Sequence, residues 1–175
     1  WYRELTAPAG YEASSEPVKI TAPDQPSNYA DVTQDVTNDR YGKFQVYKEG
    51  GTLDNTGVMQ PLAGAEFVYY PKISPNPGAD LLAAQQNGTR KTLGTTGVDG
   101  VLTTGELEPG TYWVQETKAP DGYDLDTAAK EVTVTPGAGI DGYSAAVRVT
   151  FTDEFDSGKI QIKKVSSLDS NTTLQ

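Results

Sequence analysis

Three side chains in this sequence have the types and the placement that amide chemistry asks for: Lys48, Glu116 and Asp153. Each stands at the end of an alternating stretch. In "KFQVYKE", Phe44, Val46 and Lys48 share one face while Lys43, Gln45 and Tyr47 take the other. In "YWVQE", Tyr112, Val114 and Glu116 point one way, and Trp113 and Gln115 the other. In "AVRVTFTDE", Val147, Val149, Phe151 and Asp153 fall together, opposite Arg148, Thr150 and Thr152. Parity therefore puts one amine and two carboxyls on the core side of three strands.

Charge buried in a core is costly unless it is paired or neutralised. A lysine that gives up its proton in such a place is a nucleophilic amine. A carboxyl that keeps its proton there can hydrogen-bond to a carbonyl, polarise it and carry protons. If Lys48 were held against the carboxyl carbon of Asp153, with Glu116 beside both, attack and loss of water would leave an amide between side chains. Folding itself would supply the proximity. An ordinary buried salt bridge of Lys48 with Asp153 or Glu116 has the same parity, and parity does not make the three strands neighbours.

The elements that must position these residues are strands. The chain is rich in Thr, Val and Tyr, and 18 Gly and 11 Pro cut it into short runs, which favours an all-β sandwich or barrel. One helical stretch interrupts the pattern, "ADLLAAQQNG" from Ala79 to Gly88, expected as one or two turns inserted in a loop. The chain has neither Cys nor His, which removes thiol chemistry, disulfides, imidazole bases and the usual Zn and Cu ligand sets, so no cofactor or metal is expected. The net charge of −10 with scattered Lys and Arg argues against nucleic acid as a partner. No apolar run reaches the ~18 residues of a membrane span. The loop "TLDNTG" lacks the ligand spacing of a calcium loop. A carboxylate-pair hydrolase finds no two acids at a spacing that argues a shared cleft.

The sequence also repeats itself. "WYRELTAPAGY" at the start parallels "WVQETKAPDGY", aligning Trp1 with Trp113, Glu4 with Glu116 and Tyr11 with Tyr123. "VTND" parallels "FTDE", aligning Asn38 with Asp153, and "GKFQVYKEG" parallels "GKIQIKKVS", where Ile160 and Ile162 place Lys164 as Phe44 and Val46 place Lys48. The expected organisation is the C-terminal part of one repeat over residues 1–40, a complete repeat over 41–157 and the first strand of a third over 158–175. The outer pieces lack most strands of a repeat and cannot close a core, so further polypeptide, from a longer chain or from other copies, is expected to order them. The bridges "DRYG" and "FDSG" are too short for flexible linkers.

These motifs resemble the Cna B-type (prealbumin-like) repeats of Gram-positive surface adhesins and pilins. The resemblance rests on "GKFQVYKEG", "PLAGAEFVYY", "GVDGVLTTGELEPGTYWVQETKAPDGY" and "VTFTDEF", which fill residues 42–155 in the family's order. It implies tandem inverse immunoglobulin-like sandwiches, with first and last strands side by side. It further implies an isopeptide bond with Lys48 as amine, Asp153 as acceptor and Glu116 as promoter. Asp stands where Asn is the commoner family acceptor, so water rather than ammonia would leave. Glu4 and Asn38 would be promoter and acceptor of the preceding repeat, and Lys164 the amine of the following one.

The function so implied is that of a stalk or shaft segment of an extracellular adhesin or pilus, anchored at the cell surface. The self-modification turns over once, so it is not enzymatic. The alternative is an adhesive module that contacts a host protein or glycan through exposed aromatics such as Trp113, Tyr69 or Tyr70. "VYYPK" resembles the pilin motif whose lysine a sortase joins to the next subunit. Its upstream Trp is replaced by Ala63, which argues against Lys72 in that role.

Overall fold

A computed structural model describes residues 1–21, 35–51 and 57–156. Residues 42–156 form two facing sheets. Strand β1 (Phe44–Gly51) is central to the first: β8 (Val147–Asp153) runs parallel along one edge, from Phe44 opposite Val147 to Gly50 opposite Asp153. Its other edge is shared end to end by two short antiparallel strands, β5 (Val101–Thr103) against residues 45–47 and β2 (Met59–Pro61) against 49–51. The second sheet has the antiparallel order β4 (Lys91–Thr95), β3 (Glu66–Pro71), β6 (Gly110–Lys118) and β7 (Lys130–Val134). The expected all-β sandwich is present, and its first and last strands are neighbours.

The core lies between the sheets and is built from the inward halves of alternating strands. Phe44, Val46, Phe67, Val114, Val132, Val134 and Phe151 are all buried there. Along β1 burial alternates without a break, Phe44, Val46, Lys48 and Gly50 inward and the residues between them partly exposed. The inward Gly50 is required by crowding, because a Cβ there would stand 2.6 Å from the Tyr123 ring and 2.7 Å from Leu62.

The helical stretch corrects the sequence expectation. Helix α1 spans Pro77–Asn87, about three turns rather than one or two, and it packs against the sandwich instead of hanging from a loop. Asn76 caps it by accepting from the backbone N–H groups of Gly78 and Ala79, Pro77 opens it, and Gly88 closes it at φ 77°. Ala84 and Leu81 then pack on the outer face of the second sheet over Tyr70 and Trp113.

Residues 1–21 and 35–41 form a smaller unit ahead of β1. Tyr2 pairs with Val18 and Tyr11 with Arg40 in isolated antiparallel bridges. The stretch 158–175, with Lys164, and most of the "TLDNTG" loop lie outside the described residues.

Candidate functional site: a buried lysine between two carboxyls

The three residues singled out by parity meet at one point. β1 and β8 run in the same direction, so Lys48 lies opposite Phe151 and Asp153 two residues further on, opposite Gly50. The lysine side chain reaches along that diagonal, and its Nζ contacts Oδ1 of Asp153. Glu116 comes from the facing sheet, where β6 sets it opposite Phe67 on β3, and its Oε1 stands 3.0 Å from the same Nζ. All three side chains are sealed from solvent. Phe67 and Phe151, rings 4.9 Å apart and edge to face, belong to the core in which the three are set.

The electrostatics are those of an unfinished ion pair. Lys48 Nζ, Glu116 Oε1 and both carboxyl oxygens of Asp153 have no partner in hydrogen-bond geometry, despite the short approaches. The outer oxygen of Glu116, Oε2, accepts from the backbone N–H of Asp126 at 3.3 Å. Burial pushes the Glu116 carboxyl up to about 7, although Lys48 pulls it down, and the Asp153 charge adds to the rise. Burial therefore favours the protonated form of this carboxyl well beyond the ordinary glutamate range.

A second pair with the same local plan sits in the N-terminal unit. The Asn38 amide donates to both oxygens of Glu4, at 3.0 and 2.9 Å, and the backbone N–H of Ser14 donates to Glu4 Oε2 at 3.0 Å. Ser14 follows Glu4 by ten residues, as Asp126 follows Glu116. Arg40 follows Asn38 by two and pairs with Tyr11, as Phe155 follows Asp153 by two and pairs with Tyr123. The surroundings differ. Trp1 is 82% exposed whereas its counterpart Trp113 is 8% exposed, and Glu4 looks into an open groove beside Tyr2, Tyr11 and Val36. The Asn38 amide and the Ser14 N–H hold the Glu4 carboxyl below its ordinary range, the opposite of Glu116.

The sequence-based list of exposed aromatics needs correction. Trp113 and Tyr70 lie under α1 and are buried, because the helix covers the sheet face that alternation had left to solvent. Only Tyr69 of the three remains partly open, its ring packed edge-on against Phe44 and Tyr112. Lys72 is held between Glu131 and the Trp113 ring, with Nζ 4.8 Å from the ring centroid.

Asp80 is a residue that sequence reasoning missed. Buried in the first turn of α1, it accepts from the N–H groups of Ile73 and Ser74, the Ser74 hydroxyl and the Trp113 indole at 2.8–3.0 Å. Burial alone would raise its carboxyl, but the backbone donors, the hydroxyl and the indole outweigh that and bring it down to about 2. The cap and Pro preceding an acidic first turn, "NPGAD", were the available signal. Among the described residues, no cluster of potential ligands could hold a metal ion, and no helix is long and apolar enough to cross a membrane.

Comparison with known proteins agrees with the fold. Residues 42–145 match the family described as SpaA, prealbumin-like fold domain. Among solved structures, the chain is similar to the Bacillus anthracis TIE protein at 26% identity and a TM-score of 0.53, over 78% of this chain and 21% of that one. It also aligns with BcpA, the major pilin subunit of Bacillus cereus, at 26% identity and a TM-score of 0.46, over 65% of this chain and 29% of that one. The chain thus spans about a fifth of the first protein and under a third of the second. No curated protein is matched by the sequence.

Proposed function

The chain belongs to the SpaA prealbumin-like fold domain family, and from that premise we propose that it is a structural segment of a Gram-positive surface stalk or pilus shaft, locked by a self-formed amide between Lys48 and Asp153. The observation that carries this reading is the enclosure of one amine and two carboxyls, bridging first and last strands, with four of their polar atoms left without hydrogen bonds. A permanent buried salt bridge must satisfy those lone pairs to offset its desolvation. Condensation removes the problem, since an ammonium and a carboxylate become one neutral amide.

The steps follow from the contacts. With Glu116 protonated, the Lys48 ammonium passes a proton to the Asp153 carboxylate, and the neutral amine attacks Cγ of Asp153. Glu116, within reach of the amine and protonated part of the time, donates to the Asp153 oxygen that leaves as water and takes up the proton released from nitrogen. One C–N bond forms, one C–O bond breaks, and Glu116 ends as it began. The reaction occurs once per molecule and is not enzymatic turnover.

Residues 41–157 are, in this reading, one repeat, residues 1–40 the closing part of a preceding one and residues 158–175 the opening strand of another. Glu4 and Asn38 are the promoter and acceptor of the first, and Lys164 the amine of the last. The ten-residue step from each Glu to its backbone donor supports the equivalence. Neighbouring repeats or further pilin subunits are the natural partners, and the location is the cell surface.

The mechanical consequence is testable. The cross-link closes a loop of 105 residues (153 − 48). Because β1 and β8 are parallel, tension applied at Gly42 and Phe155 shears them against each other and passes through the amide after only a few residues. In single-molecule pulling on the full chain, the extension of about 350 Å that unravelling this loop would give at ~3.4 Å per residue should be absent. It should appear in Lys48→Ala. Release of that length in the unaltered chain would contradict the role.

A further inference from the structure

Where the N-terminal unit meets the sandwich, a hollow of about 290 Å³ opens beside the second sheet. Tyr69 and Tyr112 form a corner of it, their rings 6.2 Å apart and inclined at 71°, and Tyr41 lines it from the bridge between the units. The Tyr112 hydroxyl donates to the carbonyl of Glu108 at 2.8 Å, which fixes that ring in place. Glu106 and Glu108 stand at the rim, and among the described residues neither has a cationic partner within ion-pair reach. Lys91, the one cation of the lining, is tied back to the carbonyl of Gly88 at 2.9 Å.

Carboxylates outnumber cations in this region. Burial raises the Glu12 carboxyl, and so do the nearby charges of Glu108 and Asp39. The Tyr112 hydroxyl is pushed up to about 12 by burial, then by Glu108, Tyr69 and Glu12. Tyrosine faces beside unpaired carboxylates attract a cation by ring quadrupole and by charge together. A second copy of this chain, itself at −10, is repelled from such a place, as is any anionic ligand.

We propose that this tyrosine and carboxylate hollow is a docking site for the arginine or lysine side chain of a basic partner polypeptide. The hollow lies at the end of the core-facing side of the second sheet, where Tyr69 and Tyr112 pack on the core yet stay partly exposed, apart from Lys48, and it does not depend on the proposed lock.

The test is an NMR titration of the full chain, following the ring signals of Tyr41, Tyr69 and Tyr112. The probes are two capped peptides, Gly-Gly-Arg-Gly-Gly and its analogue with norleucine in place of Arg, together with a neutral oligosaccharide. The Arg peptide is expected to shift these three rings and to bind about tenfold more tightly than the norleucine analogue. Glu106→Gln with Glu108→Gln, both exposed and safe for folding, should erase that preference. Asp121→Asn with Asp156→Asn removes two charges at the other end of β1 from Tyr41, beside Gly122, and should leave the preference intact. Equal binding of the two peptides, equal loss in both double variants, or shifts with the oligosaccharide alone would each overturn the proposal.

Discussion

In the proposed lock, Glu116 is the group whose protonation distinguishes a reaction site from an ion pair. Amide formation removes the two Lys48 influences that lower its carboxyl and the weaker Asp153 charge that raises it, leaving burial dominant. In the cross-linked chain the ¹³C signal of its carboxyl carbon should therefore titrate at or above about 7, and a midpoint near the ordinary 4.5 would contradict this assignment. A carboxyl raised in the folded chain holds a proton that the unfolded chain has lost, so its contribution is complete below pH 4.5 and is lost as pH rises through about 7. The acceptor makes a second prediction. Asp153→Asn should give the same amide by losing ammonia, so the variant and the unaltered chain should have identical intact masses, whereas unreacted chains would differ.

At the scale of elements, β1 and β8 bring Lys48 and Asp153 together, and two close approaches at Gly50 hold that placement. Gly50 admits the Tyr123 ring and the Asp153 backbone beside β1. Gly50→Ala should cost about 1–3 kcal/mol by overpacking and leave part of the protein at unreacted mass. A fully reacted variant would show that this fit is not needed. Helix α1 depends on Asp80 instead: Asp80→Ala should unpin it from Trp113 and speed amide exchange in residues 77–87 while the mass of the cross-linked product is unchanged. Its lowered carboxyl contributes above pH 3.8 and fails as pH drops through about 2.

The same elements explain what the sequence could reveal. The alternation of β1 and β8 was legible because each has one wet and one dry face, and in β6 the same period of two sets Val114 and Glu116 inward although α1 covers the opposite side. That Lys48, Glu116 and Asp153 converge was not, because parity is blind to which strands are neighbours. The burial of Trp113 was hidden for a related reason: its face is dry only because α1 lies over it, and that helix is held by Asn76, Asp80 and Gly88 rather than by an apolar stripe.

For the whole molecule, the joint ahead of β1 matters as much as the sandwich. Across it, the Gly137 N–H donates to the Arg40 carbonyl at 3.2 Å. The Arg40 guanidinium donates to the Tyr11 hydroxyl and lies over the rings of both Tyr11 and Tyr143, one from each unit. Arg40→Ala should release the smaller unit, enlarging the maximum dimension seen by small-angle X-ray scattering with no change in the cross-link. Unchanged scattering would show that the backbone contact suffices. The most direct test of the account is the intact mass of the folded chain. It should lie one water below the mass of the sequence, with fragmentation joining the peptides of Lys48 and Asp153, and Lys48→Ala should restore the full mass. A folded, unaltered chain at its full sequence mass would contradict the covalent lock and leave a buried ion pair in its place.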